Sequence, residues 1–85
     1  SEVNNALVQW QTARKCQKID KQRIKSLEST VRSTQLLMRH GNTNYLEVLT
    51  AQQTLLQAEL TEVSDKYDEI QGVINLYHAL GGGAD

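Results

Sequence analysis

The sequence predicts an all-α fold, an antiparallel two-helix coiled-coil hairpin, and three observations carry that expectation. None of the 85 residues is proline, so neither arm contains the strongest helix breaker. Midway along lies Gly41-Asn42-Thr43-Asn44, a cluster that can adopt the positive φ of a sharp helix end and cap the next helix. Beyond it, Leu56, Leu60, Val63, Tyr67, Ile70, Ile74 and Tyr77 alternate steps of four and three, the spacing of a coiled-coil seam.

Taken in order, a first helix is expected over about 3–39, roughly 55 Å long at the α-helical rise. Its apolar positions include Val3, Leu7, Trp10, Ala13, Cys16, Ile24, Leu27, Val31 and Met38. Between Arg14 and Arg23 the stripe thins, with Ile19 its only large apolar side chain. The turn falls at about 40–44. Thr43 or Asn44 is placed to cap the second helix, with Glu47 as the acidic partner of a capping box. That helix runs over about 44–80. Beside its heptad stripe it carries a shorter one: Val48, Ala51, Leu55 and Ala58, then Val73, Leu76 and Leu80. Two apolar stripes imply contacts on two sides, one more than a lone hairpin needs, so the segment is expected to self-associate. The tail, 81–85, is glycine-rich, and Gly81 is expected at the left-handed stop of the helix.

Pairing around position 42 sets residues whose numbers sum to about 84 opposite each other. The expected intrachain seam therefore joins Trp10, Ile24 and Val31 to the stripe Leu56, Leu60, Val63, Tyr67, Ile70, Ile74 and Tyr77. Trp10 is expected opposite Ile74, and Ile24 opposite Leu60. Lys25 is expected near Glu59, Lys21 or Arg23 near Glu62, and Lys15 near Glu69. Such exposed pairs contribute only tenths of a kcal/mol each and select the antiparallel partner more than they stabilise it.

The net charge of −1 conceals a division. Through His40, eight basic residues stand against three acidic ones, a net +5; from Gly41 on, Lys66 alone stands against seven, a net −6. The acidic partner of the basic arm is thus in the same chain. With no aromatic side chains interleaved among the basic ones for base stacking, no nucleic-acid partner is expected.

Hydrophobic content is 39% and aromatic content 5%, too little for a large enclosed core. No apolar run of about 18 residues is present, so the segment is not expected to be membrane-embedded. Its start carries no charged-then-apolar leader, which suits either a cytosolic chain or a piece of a longer one. Cys16 is alone, His40 and His78 lie at opposite ends of the hairpin, and no Ser has both a His and a carboxylate in reach. Neither a cofactor, a metal nor enzymatic activity is expected. Toward the turn, Ser26, Ser29, Thr30, Ser33, Thr34 and Gln35 are expected to be matched across it by Thr50, Gln52, Gln53 and Thr54. These small polar side chains suit close helix approach or a wall facing water.

With turn and tail placed, the sequence resembles a known family. Gly41-Asn42-Thr43-Asn44-Tyr45-Leu46-Glu47-Val48-Leu49-Thr50-Ala51-Gln52 is similar to the G-x-x-x-Y-L-x-V-L-D-A-Q signature of outer-membrane efflux proteins, the TolC-like factors. Asn75-Leu76-Tyr77-His78-Ala79-Leu80-Gly81-Gly82-Gly83 looks like the family's N-L-Y-x-A-L-G-G-G ending, and Val3-Asn4-Asn5-Ala6-Leu7 like the start of the matching descending helix. The resemblance covers nearly the whole chain. It implies one section of a longer protein that assembles as a homotrimer, a periplasmic hairpin of an α-helical barrel below an outer-membrane channel.

In that family the tip meets a periplasmic adaptor (membrane fusion) protein, and through it an inner-membrane pump, and closes the channel. Carried over, Gly41, Asn42, Thr43, Asn44, Tyr45 and Leu46 are the expected adaptor-contacting turn, and Glu47, Thr50 and Met38 the channel-constriction candidates. Thr50 stands where the signature usually has Asp, Met38 where Tyr is common, and Thr43 where some members place a gate-locking Arg. The alternative from another class is a self-contained coiled-coil oligomerisation module with no transport role.

Overall fold

In a computed structural model, residues 1–82 are described, and they form two long helices joined by one sharp turn. Helix α1 is Glu2–Arg39, with the Ser1 hydroxyl oxygen accepting the N–H of Asn4 at 3.2 Å as its N-cap. It ends in a Schellman turn. Asn42 N–H donates to the Leu37 carbonyl at 2.8 Å and Gly41 N–H to the Met38 carbonyl at 3.1 Å, with Gly41 at φ +75°.

Helix α2, Tyr45–Tyr77, opens on Asn44, whose side-chain oxygen accepts the N–H of Glu47 at 3.0 Å. The turn therefore lies where the glycine–asparagine cluster predicts it. After Tyr77 the chain widens into a π-helical turn, His78–Gly82, interrupted by Gly81 at φ +112°. The left-handed stop expected at Gly81 is present. The rest of the expected tail, 83–85, lies outside the described residues. The whole is a rod of 66 × 14 × 13 Å.

The helices meet along a seam whose most deeply buried positions are mostly small side chains. From α1 it takes Val3, Ala6, Trp10, Ala13, Gln17, Asp20, Ile24, Leu27, Val31 and Thr34, all buried or half-buried; from α2 it takes Val48, Ala51, Leu55, Ala58, Glu62, Asp65, Glu69, Gly72 and Leu76. Both sets step by three and four without a break. Asn75 Nδ2 donates across it to Gln9 Oε1 at 3.0 Å, and Gly72 lies against the backbone of Trp10, so opposed numbers sum to 82–84 as expected.

This overturns one expectation. Trp10, Ile24 and Val31 do lie in the seam, but Leu56, Leu60, Val63, Tyr67, Ile70, Ile74 and Tyr77 do not. All seven are 44–67% exposed. They sit one heptad position round from the seam and beyond, on the side of α2 facing away from α1. Val48, Leu55 and Leu76, expected off the seam, belong to it; Val73 is outside, as expected. The physical reason is size. Ala6, Ala13, Ala51, Ala58 and Gly72 let the backbones approach closely, whereas a Leu–Tyr–Ile ridge would hold them apart.

Gly72, not Ile74, therefore packs on Trp10. The expected inter-helix ion pairs do not form either. Among the described residues the two ion pairs, Arg23–Asp20 and Lys66–Glu62, both at 3.7 Å, each lie within one helix. Glu62 is a seam residue reached more readily by Lys66, one turn along its own helix, than by a lysine on α1.

Candidate functional site

Three places on the rod differ from ordinary coiled-coil surface. The first is the tip. Gly41, Asn42, Asn44, Tyr45 and Leu46 are exposed, Leu46 at 69% and Tyr45 at 60%, while Thr43 is half-covered. Large apolar side chains at the end of a rod leave an apolar cap beside open backbone. The Thr43 hydroxyl donates to the Glu47 carboxylate, and the Glu47 N–H is held by Asn44. Glu47 sits in the first turn of α2, where a negative charge opposes the positive helix end. Capping thus fixes its carboxylate at the tip.

Behind the tip a shallow groove of about 450 Å³ runs between the helices, lined by Leu27, Thr30, Thr34, Leu46, Glu47, Thr50, Ala51 and Thr54. Of the three constriction candidates it brings Glu47 and Thr50 together and leaves Met38, itself 42% exposed, out of its lining. The threonine hydroxyls bond back to their own helices: Thr30 to Ser26, Thr34 to Val31, Thr50 to Leu46 and Thr54 to Thr50 carbonyls, at 2.9–3.2 Å. With its donors so engaged, the groove presents methyl groups and hydroxyl lone pairs.

The second place is the outward stripe of α2, from Leu56 to Tyr77. It crosses about half the rod as a continuous apolar ridge with acidic side chains beside it. A ridge of seven large side chains, each more than two-fifths exposed, is a packing surface without a partner in a single chain.

The third is invisible to a reading of large apolar residues alone. Asp20 is 3% exposed, in the stretch where the α1 stripe thins. Its Oδ1 meets Arg23, and its Oδ2 is buried without a hydrogen-bond partner. Burial pushes its carboxyl up from 3.8 to about 6, helped by the nearby acidic charges of Asp65 and Glu62 and opposed by Arg23. A signal for it does exist in the sequence: continuing the steps Val3, Ala6, Trp10, Ala13 by four and three lands on Gln17 and Asp20. Among the described residues, no group of three or more His, Cys, Asp or Glu side chains could hold a metal ion, and no helix is long and apolar enough to cross a membrane.

Likeness to known proteins agrees with this geometry. The family described as outer membrane efflux protein matches residues 1–82. The chain is 38% identical over 60 residues to the cation efflux system protein CusC of Escherichia coli O157:H7, an alignment covering 71% of this chain and 13% of that protein. The CusC proteins of strains K12 and O6:H1 match to the same extent, so the aligned part of the chain spans 13% of the length of these curated relatives. No solved structure matches.

Proposed function

The chain belongs to the outer membrane efflux protein family, and from that premise we propose that it is a periplasmic hairpin of the family's trimeric efflux or secretion duct. The observation that carries this reading is the outward ridge of α2. A hairpin with a complete small-residue seam has no internal use for seven further large apolar side chains at heptad spacing. A closed wall of hairpins covers such a ridge with the next hairpin of a homotrimeric barrel.

At the free end, the exposed turn Gly41, Asn42, Thr43, Asn44, Tyr45 and Leu46 meets the periplasmic adaptor protein, and through it an inner-membrane pump. Close backbone approach at Gly41 and the apolar faces of Tyr45 and Leu46 support that docking. Glu47 and Thr50 face the groove behind the tip and act at the constriction. Three Glu47 carboxylates around an axis attract cations and repel each other. The curated relatives are named for cation efflux, so cations are the cargo class to test first.

The test uses the full-length protein that carries this segment. Gly41→Trp is expected to abolish export while the trimer still assembles, because the seam and the ridge are untouched. Gly41→Asn, which tolerates the positive φ, is expected to retain export. Glu47→Gln is expected to change single-channel conductance or cation selectivity more than adaptor affinity. Loss of adaptor binding with unchanged conductance in Glu47→Gln, or loss of assembly in Gly41→Trp, overturns these roles.

A further inference from the structure

The fully covered positions of the hairpin seam are small and apolar except at its centre, where α1 contributes the buried Asp20 and α2 the half-buried Glu62 and Asp65; the seam's other polar members, Gln17, Thr34 and Glu69, are half-buried. Among the described residues Asp20, 3% exposed, is the only charged residue that is buried. A carboxylate that deep needs hydrogen-bond donors on both oxygens, yet Oδ1 has only a long 3.7 Å contact with half-exposed Arg23, and Oδ2 has none. The groups facing it from α2 are Asp65 and Glu62, both acidic, and Lys66 is engaged by Glu62 at 3.7 Å. From its own helix the facing charge is Arg23. The site thus offers a buried oxygen beside a second carboxylate, which is the arrangement that holds a proton between two acids.

We propose that Asp20 and Asp65 share a proton across the seam, and that this proton makes the middle of the hairpin a pH-sensitive latch. With the proton bound, the Asp20 hydroxyl donates to the Asp65 carboxylate and one of the two charges is removed from the seam. Without it, a buried carboxylate and a half-buried one face each other across the seam, with only the half-exposed Arg23 guanidinium beside Asp20. The latch belongs to the hairpin itself and does not depend on its place in a duct.

The direction follows from linkage. Asp20 titrates higher in the folded chain than in the unfolded one, so the folded chain holds the extra proton between about pH 4 and 6. The stabilisation is fully present below the unfolded value and is lost as pH rises through the folded value. Two pH units of separation correspond to about a hundredfold change in the folding equilibrium constant.

Urea unfolding of the 85-residue chain, followed by circular dichroism from pH 4 to 8, tests this. The wild type is expected to lose roughly ten- to a hundredfold in folding equilibrium constant across pH 4–7 relative to Asp20→Asn. The amide that this substitution introduces mimics the protonated acid, so the variant is expected to match the wild type near pH 4 and exceed it at pH 7.5. Asp65→Asn is expected to flatten the same slope, and Glu62→Gln to leave most of it. Equal pH slopes in the wild type and Asp20→Asn overturn the proposal. So does the absence of a cooperative transition at pH 5, where the latch is closed.

Discussion

At the residue scale, two glycines serve different needs. Gly41 needs its backbone conformation, φ +75°, and a Cβ there would meet nothing within 4 Å. Gly72 is ordinary helix, and there the constraint is space: a Cβ would lie 3.1 Å from the Trp10 Cα, 3.2 Å from its N and 3.3 Å from its Cβ. Those contacts are mostly backbone and cannot rotate away. Alanine at this position would gain about 1 kcal/mol of helix propensity, which offsets part of the crowding. A larger side chain adds far more crowding than propensity. Gly72→Leu is therefore expected to destabilise the hairpin by about 1–3 kcal/mol with helix content retained below the transition, measured by urea unfolding at pH 5. A variant as stable as the wild type would show that the helices do not approach closely at Trp10.

At the element scale, the question is which face of α2 meets α1. The helices, their caps and the turn are legible in the sequence because proline absence, Gly41 and the Asn44–Glu47 spacing act locally. The side of α2 that packs inward is not legible from hydrophobic size. Two heptad frames coexist in α2, one through Val48, Ala51, Leu55 and Ala58 and one through Leu56, Leu60, Val63 and Tyr67, and the larger residues take the outer one. Backbone proximity selects the frame with Ala and Gly, and that preference emerges only when both helices are considered together. Asp20 is hidden for the same reason, since a lone acid in a basic stretch reads as surface until the seam frame is extended through it. The outer frame then carries a prediction. The chain is expected to self-associate at tens of micromolar through the ridge, and Leu60→Glu with Tyr67→Glu to render it monomeric while keeping its helix content. Sedimentation velocity with circular dichroism reads both; an oligomer unaffected by the double substitution would place the contact elsewhere.

At the scale of the whole molecule, a basic arm of net +5 lies along an acidic arm whose described residues carry a net −5, in a rod 14 Å across, yet the described residues hold no ion pair between the helices. The attraction is therefore diffuse. Unit charges about 10 Å apart in water interact by only about 0.4 kcal/mol, but many such pairs add along the rod. Their range matches the screening length, which falls from about 30 Å at 0.01 M salt to about 8 Å at 0.15 M. Raising NaCl from about 0.01 to about 0.2 M at pH 7 is thus expected to lower hairpin stability by on the order of 1 kcal/mol. Most of the loss should come before the screening length drops below the helix separation. Reversing two exposed charges of the basic arm, Lys18→Glu with Lys25→Glu, is expected to destabilise the chain at low salt and remove most of that salt dependence. Among the described residues neither lysine makes an ion pair, so loss of a local contact there does not account for such a result. Stability that rises with salt from the outset, or a variant with the wild-type salt slope, would show that the charge division of the two arms plays no part in holding them together.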